Sequence, residues 1–313
     1  MVPTKINNHF VKRSHCPVCT SENLKMLYSE AYESENITDY LDDFYNAQGG
    51  VEHEYLKGTD YSLLQCLNCD LVFQENIPND DLMFRLYEQW IDANIVCKAQ
   101  EQYPLWYHET YANQIIDLIT FFKRKPIDLK VLDFGMGWGK WCLMAKAFGC
   151  QVYGLELSKA RIDYAQKNGI TVLNEAELAN HKFDFINTDQ VFEHVPNPKA
   201  TLETLLEKLA INGVIKISVP NGNGVNEVLK HMNWTAKKGS ANSLNMVAPL
   251  EHINCFKTQT ILALAEQFNL YEVQIPRSKT YYKSKKDFIK KSLKIFTAKK
   301  KPSTVLFFKK SSS

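Results

Sequence analysis

Apolar positions along this chain change period near residue 129. Before it, Tyr111, Ile115, Leu118, Ile119 and Phe122 recur at helical spacing and share one face. The stretch over 80–125 therefore reads as helical until Lys123 to Lys125 and Pro126 end it. After residue 129, short apolar runs alternate with amphipathic ones. KVLDFG, QVYGLEL, ITVL, FDFINT, VIKISVP, LYEVQIP and TVLFFKK read as strands. Helices are expected after Gly139, after Ser158 as a cap, after Asn197-Pro198 and after Lys257-Thr258. Gly149 and Asn168-Gly169 close two of them. Strands alternating with helices imply an α/β fold, a doubly wound, seven-stranded, mostly parallel sheet.

The first eighty residues follow a different pattern. Cys16 and Cys19 form one Cys-x-x-Cys pair, and Cys66 and Cys69 form another. Four thiolates suffice to close a tetrahedral zinc site with no open position, so the expected Zn2+ is structural. A redox dithiol or two unrelated pairs would leave the shared spacing unexplained. His15 and His53 are spare ligands. The 46 residues between the pairs exceed what a ribbon needs, and 28–58 reads as an acidic, Tyr-rich insertion. The expected organisation is a zinc ribbon over 1–80, a helical connector over 81–128 and an α/β domain over 129–313.

Charge changes the picture at the far end. The net charge is +2, but Arg277 to Lys310 alone carries +12, leaving −10 on the rest. Within 277–302, the segment 284–301 places Phe288, Ile289, Leu293 and Phe296 on one helical face and lysines on the other. Such a helix either packs its apolar stripe on the core or makes peripheral contact with an anionic membrane or an acidic ligand. No run is apolar enough to span a bilayer, and the first fifteen residues lack an apolar core. The expectation is a cytoplasmic protein.

The chemistry concentrates at VLDFGMGWGKW, 131–141. A strand ends in Asp133, and Gly135, Gly137 and Gly139 follow at every second position. Glycines let a backbone approach a ligand closely, and the next helix offers free N–H groups. The acid puts a carboxylate where a dinucleotide pyrophosphate would otherwise sit, which suits a cationic ligand such as S-adenosylmethionine. A nicotinamide-type Rossmann turn shares the glycines and an acid after the second strand, but its spacing is G-x-G-x-x-G. On these residues, 129–276 resembles a class I S-adenosylmethionine-dependent methyltransferase with a Rossmann-like sheet. The resemblance implies that Asp133, Gly135, Met136 and Gly137 form the cofactor turn and that Glu156 binds the ribose hydroxyls. It also implies that Thr188, Asp189 and Gln190 approach the methionine end, that SVPNGNG (218–224) lies beside the methyl group, and that TVLFFKK pairs antiparallel with LYEVQIP.

A hydroxyl nucleophile benefits from a general base, and histidine titrates near neutrality. His252, in the 220–256 segment, is the first candidate; His194 is second and His231 third. Glu193 and Glu251 are further candidates. The order CPVC, CLNCDLVFQ, a Leu-Tyr helix and then the catalytic core resembles bacterial zinc-ribbon methyltransferases associated with sugar, surface-glycan or natural-product methylation. Their deoxysugar C-methylating members carry a further C-terminal domain, for which this chain leaves no room, so O-methylation of a sugar, glycan or other small molecule is expected. An RNA methyltransferase is the competing enzyme class. The acidic ribbon and the absence of an Asn/Asp-Pro-Pro-Tyr pattern argue against it, so no nucleic-acid partner is expected. A catalytically silent Rossmann-like body with a ribbon for binding is the non-enzymatic alternative. Oligomeric state is not legible.

Overall fold

The computed structural model describes residues 8–46, 49–92, 95–98, 102–276 and 303–311. The basic 277–302 excursion, with its amphipathic stretch 284–301, lies outside the described residues.

The cysteine block opens the chain with two small sheets. In the first, β1 (Phe10–Lys12) pairs antiparallel with β5 (Asn76–Pro78). The second is four-stranded and antiparallel, in the order β11-β4-β3-β2. It comprises β2 (Leu24–Ala31), β3 (Asp60–Cys66), β4 (Val72–Gln74) and β11 (Asn254–Cys255). A helix, Glu35–Tyr45, occupies the expected insertion. Strand β11 comes from the half of the chain that forms the seven-stranded sheet, and it pairs with β4. Cys16, Cys66 and Cys69 also pack in one hydrophobic cluster with Phe183, Ile215 and Phe256. The 1–80 block is therefore joined to the sheet domain by strand pairing and shared core, not by a flexible linker.

The seven-stranded sheet forms where the short apolar runs stand. Its strands are β6 (Lys130–Phe134), β7 (Gln151–Leu155), β8 (Thr171–Val172), β9 (Phe183–Asp189), β10 (Leu209–Pro220), β12 (Leu270–Glu272) and β13 (Ser303–Lys310). Their order is β12-β13-β10-β9-β6-β7-β8. The pairs among β6 to β10 are parallel, and β13 runs antiparallel to both β10 and β12, as expected of TVLFFKK and LYEVQIP. Strands β6, β9 and β10 are largely buried, as strands covered on both faces must be. Chain order reverses beside β6, which has β7 on one side and β9 on the other. Ligands of open α/β sheets bind beyond the carboxyl ends of the strands at such a switch point.

Two local expectations are corrected. The helical stretch expected over 80–125 is divided into Asp80–Arg85, a π-turn over Leu86–Trp90, helical residues 95–98 and a helix Leu105–Phe122. Pro104 is extended and starts that last helix, and Lys123 ends it in the left-handed region. Ser158 sits at the cap position, but its side chain makes no capping bond. The Glu156 carboxylate takes the Ser158 N–H instead, at 3.1 Å. Among the described residues, no helix is long and apolar enough to cross a membrane.

Candidate active site

The turn after β6 is held from β7: Gly135 and Met136 donate their N–H groups to the Leu155 carbonyl at 2.9 and 3.1 Å. Gly135 has φ +70°, and a Cβ there would stand 2.7 Å from Val191 Cγ2. Only glycine meets both constraints. Glu156, at the end of β7, accepts from Gly137 N–H at 2.8 Å and from Leu157 N–H at 2.9 Å. Arg161 faces the same carboxylate at 3.8 Å. The acid expected at the ribose thus bridges the glycine turn and the next helix.

Asp133 is buried beside the turn. It accepts from Asn187 Nδ2 at 2.6 Å, and the Cys142 thiol lies 3.6 Å away. Burial pushes its carboxyl up to about 7; the Asn187 bond works against that, Asp189 adds to it, and Lys216 opposes it. Lys216 is buried inside β10 and stands 3.5 Å from Asp189. Sequence reasoning misses both Asn187 and Lys216. The available signal is a single polar side chain in each of two otherwise apolar segments, FIN and VIKI.

The segment expected at the methionine end divides. Thr188 is fully buried, and its hydroxyl donates to the Lys216 carbonyl at 2.7 Å, so its side chain faces into the sheet. Asp189 is half-buried and Gln190 exposed. Gln190 adopts φ 57° and donates its N–H to the Ser218 carbonyl, which turns the chain outward at the strand end.

The structure brings His194 and His252 together. Their rings lie 4.9 Å apart between centroids, edge to face. His194 Nδ1–H donates to the Glu251 carbonyl at 2.8 Å, and the Tyr87 hydroxyl lies 3.1 Å from the same nitrogen. His252 Nδ1–H donates to the Asn245 carbonyl. A carbonyl can only accept, so each ring carries its proton on Nδ1 and presents a bare Nε2. Burial pulls both imidazoles down, His194 to about 4 and His252 to about 3, the latter also through His194. Both are neutral at neutral pH.

Glu193 is 1% exposed, and neither carboxylate oxygen has a hydrogen-bond partner. His194 Nε2 is 3.9 Å from Glu193 Oε1, beyond hydrogen-bonding distance. Burial raises the Glu193 acid well above its usual range. Glu251 is raised in the same way, and its backbone rather than its carboxylate meets His194. His231 is exposed in the turn after the Val225–Leu229 helix.

The ribbon sheet braces this region. Gln74 Nε2 donates to the Ala248 and His252 carbonyls at 2.9 and 3.2 Å. Arg13 donates to the Ile253 carbonyl at 2.7 Å and to Asn254 Oδ1 at 2.8 Å. Asn254 in turn holds the Phe192 and Val195 carbonyls at 3.1 and 2.8 Å, fixing the turn that carries Glu193 and His194.

The four cysteine sulfurs of the two Cys-x-x-Cys pairs converge. Cys16 Sγ and Cys69 Sγ are 3.4 Å apart, as are Cys19 Sγ and Cys66 Sγ. All four lie within 4.8 Å of one another, and all are free thiols.

A family described as a methyltransferase domain matches residues 107–275. Similar curated proteins include the ubiquinone biosynthesis O-methyltransferase of an Azoarcus species, 30% identical over 105 residues, or 30% of this chain and 45% of that protein. The protein of the same description from Photobacterium profundum is 28% identical over 108 residues, with 30% and 45% coverage. The chain spans about half the length of these curated relatives. Among solved structures, magnesium protoporphyrin IX methyltransferase from Synechocystis with bound SAH shares 17% identity, covering 66% of this chain and 84% of that one, at a TM-score of 0.44.

Proposed function

This chain belongs to the methyltransferase domain family, and from that premise we propose that it moves the methyl group of S-adenosylmethionine onto an acceptor hydroxyl. The observation that carries the proposal is the turn of Gly135 and Gly137, tied to Glu156 at the sheet's switch point, with Asp133 beside it. Glu156 is the partner for the ribose hydroxyls, in place of its present bonds to the turn. Asp133 and Asp189 supply negative charge for a cationic donor, and Lys216 and Asn187 keep those carboxylates oriented. Thr188 contributes through its backbone.

The reaction is an in-line displacement. The acceptor oxygen attacks the methyl carbon, the carbon–sulfur bond breaks, and sulfur keeps its electron pair as S-adenosylhomocysteine leaves. Holding the two reactants in line supplies much of the acceleration. The acceptor hydroxyl is activated at the His252–His194 pair, whose Nδ1–H groups are held by backbone carbonyls and whose Nε2 atoms carry no proton. His252 remains the first assignment and His194 the second.

A hydroxyl acceptor is supported by the similar curated proteins, which are named as O-methyltransferases. The finer choice of a sugar or glycan rests on the ribbon's resemblance alone. The four cysteines fit a structural Zn2+: sulfurs bound at about 2.3 Å in a tetrahedron stand roughly 3.8 Å apart, close to the spacing seen here. No open coordination position would remain, so zinc would supply folding energy and not chemistry.

The experiment is the pH dependence of S-adenosylmethionine affinity, by titration calorimetry. Asp133 has a raised carboxyl and is ionised only above about 7. A cationic donor binds its charged form, so affinity is expected to rise by about tenfold from pH 6 to 8 and then level off. The Asp133→Asn variant is expected to bind weakly with no such slope. Equal, pH-independent affinity in both proteins would overturn the placement of the cofactor at this turn.

A further inference from the structure

We propose that Glu193, His194 and His252 together bind a divalent transition-metal cation, a second metal site separate from the cysteine quartet. The inference rests on the reading above, because it concerns how the same pair activates a hydroxyl.

The first argument is the orphaned acid. Glu193 is buried with both carboxylate oxygens unpartnered. An unpaired buried carboxyl is costly to keep, and native proteins rarely keep one without a bound group to satisfy it. The second is convergence. One ligand atom from each of Glu193, His194 and His252 lies within 4.8 Å of the others. Atoms bound about 2.1 Å from one ion sit roughly 3.4 Å apart, so a small rotation of the side chains closes the set. The third is the outer support. Both imidazoles give their Nδ1–H to backbone carbonyls, of Glu251 and Asn245, which leaves each Nε2 with its lone pair free. Metal-ligating histidines are oriented in this way. Asn254 fixes the 192–195 turn from behind.

Two imidazoles and one carboxylate suit a first-row transition cation rather than Mg2+ or Ca2+, which prefer oxygen donors. Three protein ligands leave open positions, as catalytic sites do and structural ones do not. The acceptor hydroxyl would enter there. The cation would lower the hydroxyl's pKa, and its proton would pass to solvent before or as the oxygen attacks the methyl group. Neither imidazole then acts as a free base; both act as ligands.

The test uses the full-length protein with its cysteine site filled by zinc. Co2+ is added, unbound metal is removed, and both metals are quantified by mass spectrometry with the cobalt absorption spectrum recorded. The expected result is one further equivalent of Co2+, with ligand-field bands and no thiolate charge-transfer band. His252→Ala and Glu193→Gln are expected to bind Co2+ at least 100-fold more weakly while retaining the zinc, and the exposed His231→Ala should keep both metals. Unchanged melting temperatures confirm that the variants are folded. A wild-type protein that takes up no second metal, while Glu193→Gln or His252→Ala still lose methyl transfer, would overturn the metal site and leave the pair as bare bases. Cobalt uptake that survives both substitutions would overturn it equally. Metal uptake lost in both variants supports the site even if no hydroxyl acceptor is methylated, an outcome that defeats the functional reading alone.

Discussion

The His252→Ala protein is expected to lose methyl transfer by about 10³-fold while its S-adenosylmethionine affinity stays within about twofold. The two effects separate because the groups occupy different elements. The turn of Gly135 and Gly137 with Glu156 belongs to the ends of β6 and β7, whereas His252 lies in the segment before β11. Truncation to alanine removes the bare Nε2 and the Nδ1–H bond to the Asn245 carbonyl, but no contact with the turn. His194 keeps its bonds to the Glu251 carbonyl and Tyr87, so a residue of activity is expected from it alone. Steady-state kinetics paired with calorimetry reads both quantities. Unchanged turnover would remove His252 from the mechanism, and a parallel loss of cofactor affinity would mean that it serves the wrong partner.

The second large effect is on stability. Cys66→Ser is expected to release zinc and to lower the melting temperature of the whole protein, not of a detachable ribbon. Structural zinc sites supply on the order of 10 kcal/mol of apparent binding energy in small domains, and losing part of that exceeds the margin of many domains. Here the loss propagates. Cys16, Cys66 and Cys69 pack with Phe183 and Ile215 from the central sheet. Strand β11 and the carbonyls around His252 are held by β4, Gln74 and Arg13. Calorimetric melting with metal analysis is the check. Two separate transitions, with only the lower one shifted, would show that the ribbon folds by itself; an unshifted profile with full zinc would show that Cys66 is not a ligand.

Part of the fold is legible from residues alone. The strands at KVLDF, FDFINT and VIKISVP stand where the apolar runs put them, because buried parallel strands leave a continuous apolar signature. The glycine turn is legible because few residues tolerate the backbone that Gly135 adopts. What stays hidden depends on contacts distant in sequence. Pairing of β11 with β4 brings the His252 segment against the turn of Glu193 and His194, and no local pattern announces that pairing. The helical reading of 80–125 holds in separate pieces, because period alone does not register the extended Pro104 that starts the Leu105–Phe122 helix. Glu156 is expected at the ribose from its place after β7. Its bonds to Gly137, Leu157 and Ser158 are not, because a carboxylate that bridges a turn and a helix start leaves no mark in sequence. Thr188 resembles a cofactor contact from its place at a strand end, yet its hydroxyl follows the pleat into the sheet.

The most direct measurement of the central claim is transfer of a labelled methyl group. The full-length protein is incubated with methyl-labelled S-adenosylmethionine and a panel of nucleotide sugars, glycans, phenols and RNA, followed by mass spectrometry of products. Label is expected on an acceptor oxygen with equimolar S-adenosylhomocysteine, reduced by about 10³-fold in the His252→Ala protein. Label found on RNA or on carbon, or cofactor that binds and never turns over with any acceptor, would contradict the claim.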